Sequence, residues 1–95
     1  MRIRWLDEAI SDLIEIRKFI AADKPQTANR VAGLIKKSVD PLTEHPDIGR
    51  PGRVEGTREL IMSALPYIIP YRVKNNNIEI LRVLHAARKW SYEFY

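Results

Sequence analysis

The chain has 95 residues, 45% of them hydrophobic and 29% charged, with a formal net charge of +4 and no cysteine. Those figures bound it to one domain spanning residues 1–95 and exclude a disulfide framework, a thiol nucleophile and a cysteine-based zinc site. Residues 1–47 hold eight Lys/Arg and eight Asp/Glu, whereas residues 48–95 hold eight against four, six of the eight being Arg50, Arg53, Arg58, Arg72, Arg82 and Arg88. An arginine-rich half points to an anionic partner, nucleic acid or acidic protein.

Taken in chain order, Arg2–Leu6 alternates weakly and reads as a short first strand. Asp7 and Glu8 place negative charge where a helix begins. Ala9, Ile10, Leu13, Ile16 and Ile20 then recur at helical spacing, and the helix should end near Ala22. Asp23-Lys24-Pro25 breaks the chain and restarts it, proline being tolerated in a first helical turn. Ala28, Val31, Ala32, Ile35, Val39 and Leu42 form a second apolar stripe, which Pro41 should end or kink near Asp40. The short connection predicts an antiparallel helical hairpin.

Residues 45–57, with His45-Pro46, Gly49, Pro51-Gly52 and Gly56, read as a loop made basic by Arg50 and Arg53. Arg58–Ala64 reads as a strand and Tyr67–Lys74 as the next, with a bulge or unpaired position expected at Pro70. Lys74–Asn77 should be a tight turn, because asparagine tolerates left-handed backbone angles. Ile78–Ala86 is apolar on both faces, as an interior strand would be, with Ile78, Ile80 and Leu84 on one side and Leu81 and Val83 on the other. The predicted fold is α+β in the order β-α-α-β-β-β, a helical hairpin packed on one face of a small, mainly antiparallel sheet. No apolar run has signal-peptide or transmembrane length, so a cytoplasmic location and no membrane association are expected.

Few constellations carry chemistry. The two histidines, His45 and His85, lie forty residues apart, without HExxH or a calcium loop, so neither a metal nor another cofactor is expected. There is no phosphate-cradling glycine motif, and Ser63 and Ser91 lack a nucleophile-elbow context. Metal-free RNA cleavage needs a base, an acid and cations for the phosphate. His85 with Glu59 or Glu79 could move the protons, and Arg58, Arg72, Arg82 and Arg88 could hold phosphate. The alternative is that His85 ends a strand and bonds locally while the arginines solvate the sheet. Arg82 alternates with Ile80 and Leu84; under a helix layer it would be half-buried and need a carboxylate. Trp90, Tyr92, Phe94 and Tyr95, interleaved with Arg88 and Lys89, suit partner docking or pinning of the C-terminus to the core.

Three segments in this order resemble the RelE/ParE toxin superfamily: Glu44-His45-Pro46-Asp47-Ile48-Gly49-Arg50, Tyr67-Ile68-Ile69-Pro70-Tyr71-Arg72-Val73 and Ile80-Leu81-Arg82-Val83-Leu84-His85-Ala86-Ala87-Arg88. Leu6-Asp7-Glu8-Ala9 through Leu13 resembles that family's first helix. The resemblance spans nearly the whole chain and implies the toxin of a type II toxin–antitoxin system, of the kind linked to plasmid stabilization, neutralised in a hetero-oligomer by a cognate antitoxin. RelE-like members cut messenger RNA on the ribosome; ParE-like members inhibit DNA gyrase. Where the RelE pattern expects lysines and arginines, this chain has Glu59, Ile61, Ile68 and Ala87, which places it with the ParE branch. The resemblance therefore implies a gyrase inhibitor acting by binding, with no catalytic residues and with Arg58, Arg72, His85, Arg88, Lys89 and Trp90 as target contacts. In the alternative, a ribosome-dependent endoribonuclease, His85, Arg88 and Glu59 would be catalytic; an inactive or nucleic-acid-binding relative is the third reading.

Overall fold

The structure is a computed structural model and describes residues 1–87. Its elements run β1 (Arg2–Trp5), α1 (Asp7–Ala21), α2 (Pro25–Ser38), a 3₁₀ turn (Asp40–Thr43), β2 (Arg50–Pro51), β3 (Arg58–Ile61), β4 (Tyr67–Lys74), β5 (Asn77–Ile80) and β6 (Leu84–His85). The expected α+β order of one strand, a helical hairpin and three main strands is present. The loop expected over residues 45–57 contributes the two-residue β2, and the strand read as Arg58–Ala64 stops at Ile61. Pro25 opens α2 and Pro41 follows Asp40 in the first turn of the 3₁₀ segment, each at a position where a missing N–H costs little.

The helix α1 has no side-chain cap at Leu6, and Asp7 and Glu8 supply negative charge at its start instead. The Leu6 N–H donates to the Ile80 carbonyl (3.0 Å), so the end of β5 fixes where β1 turns into α1. Arg17 Nε bonds Asn29 Oδ1 across the helical hairpin at 3.0 Å.

The strands form one mixed sheet in the order β1-β5-β4-β3-β2, with β6 also pairing β4. β1 runs parallel to β5, and the remaining pairs are antiparallel. Lys74 faces Asn77 across the β4–β5 turn, and Asn75 and Asn76 take φ of 52° and 60°. This is the two-residue hairpin turn that asparagine favours, because both central residues need left-handed angles.

Both helices cover one face. Val31, Ile35, Val39 and Leu42 pack there against Ile69, Tyr71, Ile78, Ile80 and Val83, with Ala9 from α1. Such burial contributes roughly 1.5–3 kcal/mol for each large side chain. By strand alternation, Arg2, Arg4, Arg50, Glu59, Arg72, Lys74 and Glu79 fall on the opposite, open face.

The irregularity expected at Pro70 lies on the neighbouring strand. Pro70 stays in register opposite Glu59, and its carbonyl accepts the Leu81 N–H at 2.9 Å. Lacking an N–H, Pro70 returns no bond to that neighbour. The pairing is Tyr71 with Ile80 on one side and Ile68 with Leu84 on the other, so Ile69 and Pro70 oppose three residues, Leu81 to Val83. The added residue is a β-bulge, and it exchanges the faces beyond it. Hence Val83 joins Ile78 and Ile80 in the helix-side core while Leu84, expected with them, pairs Ile68 on the other face.

Candidate functional site

The bulge determines the main concave feature of the helix side. Beyond it, β6 runs beside the start of β4, and α1 passes alongside. A groove of about 700 Å³ opens between them, walled by Asp12, Glu15, Ile16, Phe19 and Ile20 from α1 and by Tyr67, Arg82, Val83, Leu84, His85 and Ala87 from the sheet. Phe19 stands at its lip, 84% exposed. Ile10 and Ile14, one turn apart on α1, are also partly exposed.

Arg82 closes one end of the groove. Its Nε and Nη2 donate to Asp12 Oδ2 (2.7 Å) and Oδ1 (3.0 Å), and the Val83 N–H donates to Oδ2 at 2.9 Å. Both side chains are 18% exposed, and Glu8 adds a looser contact at 3.9 Å. The bond to Asp12 raises the Arg82 pKa above its ordinary value, against a smaller opposing effect of burial. One carboxylate thus ties the bulge to α1, with the fork geometry that only arginine offers. Arg82 is the half-buried, carboxylate-paired residue expected beneath a helix layer, on the side of Ile80 as alternation predicts, whereas Leu84 lies beyond the bulge on the other face.

His85 ends β6 on the same wall. Its ring meets Tyr67 edge-on, with centroids 5.7 Å apart and planes at 83°. Its Nδ1 accepts the Ala87 N–H at 3.2 Å, and the side chain is exposed. Burial raises the pKa of Tyr67.

Glu59 lies elsewhere. It faces Pro70 on the open side and is 1% exposed, whereas Tyr67 and its partner His85 fall on the helix side. Arg50 Nε and Nη2 donate to Glu59 Oε1 at 3.0 and 2.9 Å, and the Arg53 N–H donates to Oε2 at 3.3 Å. The proposed acid–base pair of His85 and Glu59 is therefore divided by the sheet. The other carboxylate considered, Glu79, is also on the open face.

The arginines expected to hold phosphate or a target are placed as follows. Arg58 Nη1 donates to the Gly49 carbonyl (2.8 Å) and the Asp47 carbonyl (3.3 Å), and so fastens the preceding loop. Tyr71 completes that fastening: its hydroxyl donates to the Pro46 carbonyl (2.6 Å) and accepts the Gly49 N–H (2.9 Å). Burial raises the Tyr71 pKa. A Cβ on Gly49 would lie 2.6 Å from the Tyr71 ring and hydroxyl, so only glycine admits this approach. Arg72 Nε donates to Glu79 Oε1 at 2.7 Å, and Arg4 approaches the other Glu79 oxygen at 3.7 Å. The hydrogen bond from Arg72, with the nearby charges of Arg72, Lys74 and Arg4, holds the Glu79 carboxyl below its ordinary pKa despite burial. Arg88, Lys89 and Trp90, with Tyr92, Phe94 and Tyr95, lie outside the described residues.

Among the described residues, no cluster of three or more His, Asp or Glu side chains is placed to hold a metal ion. No helix among them is long and apolar enough to cross a membrane. Sequence reasoning assigned no functional role to Asp12, Phe19 and Arg4. Asp12 carried a signal, since aspartate is a poor helix former in mid-helix. The other two depend on which neighbours fail to cover them.

Residues 3–90 match the family model described as the ParE toxin of the type II toxin–antitoxin system parDE. The chain is 48% identical over 89 residues to the Sinorhizobium fredii protein Y4kP, covering 94% of this chain and 92% of that one. It is 37% identical over 87 residues to toxin RelE2 of Caulobacter vibrioides, covering 92% and 97% respectively. Among solved structures, it resembles a chain of the chromosomal ParDE toxin–antitoxin system from P. aeruginosa, with a TM-score of 0.83 and 32% identity over 90% of this chain and 95% of that one. The toxin–antitoxin complex RelBE2 from Mycobacterium tuberculosis contains a chain similar at a TM-score of 0.61 and 25% identity, over 88% of this chain and 95% of that one.

Proposed function

The chain belongs to the ParE toxin family of type II toxin–antitoxin systems, and we propose that it acts by binding DNA gyrase directly and inhibiting it, until a cognate antitoxin covers it. The observation that carries this reading is the division of the nuclease candidates by the sheet. Glu59 is buried against Arg50 on one face, and His85 is exposed on the other. An acid and a base must both reach one phosphodiester to cleave it, and these two do not share a side. Arg58 and Arg72, moreover, hold loop carbonyls and Glu79.

What the helix side offers is surface for binding. The groove beside His85 combines the apolar Phe19, Ile16 and Tyr67 with the polar Glu15. Exposed aromatic anchors next to charge are typical of interface hot spots. The antitoxin would cover exposed apolar residues such as Ile10, Ile14 and Phe19 by laying down a helix or an added strand. The chromosomal ParDE system, in which the similar chain was solved, supports an antitoxin partner for this one.

The test is gyrase-catalysed supercoiling of a relaxed plasmid in the presence of the purified chain. Inhibition, relieved by adding a cognate antitoxin, is the expected result. Undiminished supercoiling at a molar excess of folded chain over gyrase would sink the reading. A second reading, ribosome-dependent cleavage of messenger RNA, draws on the exposure of His85 in the groove and on the likeness to chains named RelE.

A further inference from the structure

The open sheet face carries a cationic feature of which the expected gyrase contacts include only Arg72. Its register places cations in two rows. Arg2 and Arg4 on β1 flank Asn77 and Glu79 on β5, which in turn face Lys74 and Arg72 on β4. All four cations share the face by alternation. Along each strand they stand two residues apart, about 6.6 Å. Across the face the rows are two strand spacings apart, roughly 9.5 Å. Arg4 is 67% exposed, and Arg2 and Lys74 are exposed. Within these rows the one carboxylate is Glu79, which Arg72 and Arg4 share. Asp7 and Glu8 border the hollow beside Arg4 and Arg72 and so bound the positive surface at that end. The positive surface thus runs from there toward Arg2, Lys74 and the asparagine turn.

We propose that this face binds the phosphate backbone of duplex DNA without reading its sequence. The geometry favours such a partner over an acidic peptide. A peptide adding to the edge of β1, the outer strand among the described residues, would meet Arg2 and Arg4 but not Lys74 and Arg72, which lie two strands further in. A rigid polyanion laid across the face meets both rows, and the spacing along each strand is of the order of neighbouring phosphates on one nucleic-acid strand. The residues between the cations, Asn77 and Glu79, include no aromatic ring. Among the described residues these rows therefore offer no stacking platform of the kind by which proteins hold single strands. What remains is backbone contact, which is insensitive to sequence and sensitive to salt. This property does not depend on the gyrase reading, and gyrase is absent from its test.

The experiment is fluorescence anisotropy of the purified chain with a labelled 20-base-pair duplex of arbitrary sequence, titrated from 50 to 200 mM salt. The expected dissociation constant is micromolar or weaker, falling in the range of nonspecific binding, ~10⁻⁴–10⁻⁶ M. Affinity should drop with a log–log salt slope of about −3, as for three to four phosphates neutralised. The double variant Arg2→Gln/Arg4→Gln should weaken binding about tenfold or more and flatten the slope by about 2. The control is Lys36→Gln/Lys37→Gln on exposed positions of α2, which removes the same charge from the helical layer and should leave binding within about twofold. Glu79→Gln, whose amide oxygen still accepts from Arg72, should tighten binding severalfold; circular dichroism verifies that each variant is folded. No binding at 50 mM salt, equal losses in the two double variants, or tighter binding to a 20-nucleotide single strand would each overturn the proposal. So would displacement of the duplex by polyglutamate at equal charge concentration, which would make the face a site for acidic protein.

Discussion

Two arginine–carboxylate clusters sit on opposite faces of one sheet, and they are built to opposite effect. On the helix side, Asp12 receives three hydrogen bonds, two from Arg82 and one from the Val83 backbone, and with Glu8 at 3.9 Å the arginine's charge is fully offset. On the open side, Glu79 is shared by Arg72 and Arg4, with Lys74 and Arg2 nearby, and the charges do not cancel. The first cluster joins a bulged strand to a helix in a partly water-excluded place. The second keeps one carboxylate under a positive surface. Both clusters join arginine to a carboxylate, and they differ in how many cations share that carboxylate and in what covers them.

Breaking the helix-side cluster should have the largest effect. Asp12→Ala removes the carboxylate that accepts two bonds from the Arg82 guanidinium and one from the Val83 N–H, which should lower stability by about 3 kcal/mol. Arg82→Lys should recover only part of the wild-type stability, since a lysine cannot make the paired bonds. Urea unfolding followed by circular dichroism measures both. The second effect, also on the helix side, belongs to Tyr71. Tyr71→Phe removes the bonds to Pro46 and Gly49 and leaves the buried Gly49 N–H without its acceptor, at a cost of about 2 kcal/mol. Hydrogen exchange should show the Gly49 amide losing protection in that variant.

The open face sharpens the contrast by yielding little. Arg4→Gln breaks a long ion pair of a mostly exposed side chain, and stability should change by less than about 0.5 kcal/mol in the same urea experiment. A loss as large as that of Asp12→Ala would mean that the two clusters do the same work. The smallest expected effect is a pH dependence. The folded-state pKa of Glu79 is lowered, so its contribution is fully present above the ordinary carboxylate pKa and disappears as pH falls through the lowered value. The difference in melting temperature between wild type and Glu79→Gln should therefore exist at pH 7 and shrink in acid, below about pH 4.

The elements that local chemistry controls were legible in the chain. Tyr67–Lys74 is found with the bounds expected of it, and Asn75 and Asn76 form the turn because their backbone tolerance is a local property. The antiparallel helical hairpin followed from apolar spacing and Pro25. The bulge was harder. Pro70 announced a disturbed ladder, but whether the extra residue lies on β4 or on its neighbour depends on pairing across strands. That one residue exchanged the faces of Val83 and Leu84. The candidate site was legible as residue types and not as an arrangement. Glu59 reads as a free acid on a strand, and only the closure of residues 50–53 over it makes it a buried partner of Arg50. Glu59 and His85 come from strands on opposite sides of β4, and their faces depend on register, which no local pattern reveals.

The central claim is that this toxin acts by binding and not by cleaving RNA. It is tested most directly by giving the same purified protein to two assays, gyrase supercoiling and ribosome-dependent messenger RNA cleavage, as wild type and as His85→Ala. The account predicts inhibition of supercoiling, no cleavage of messenger RNA, and a loss of inhibition in His85→Ala that corresponds to less than about 2 kcal/mol of binding. Cleavage by the wild type that falls by about 10²–10⁴ in His85→Ala would show a proton-transfer group at work and would contradict it.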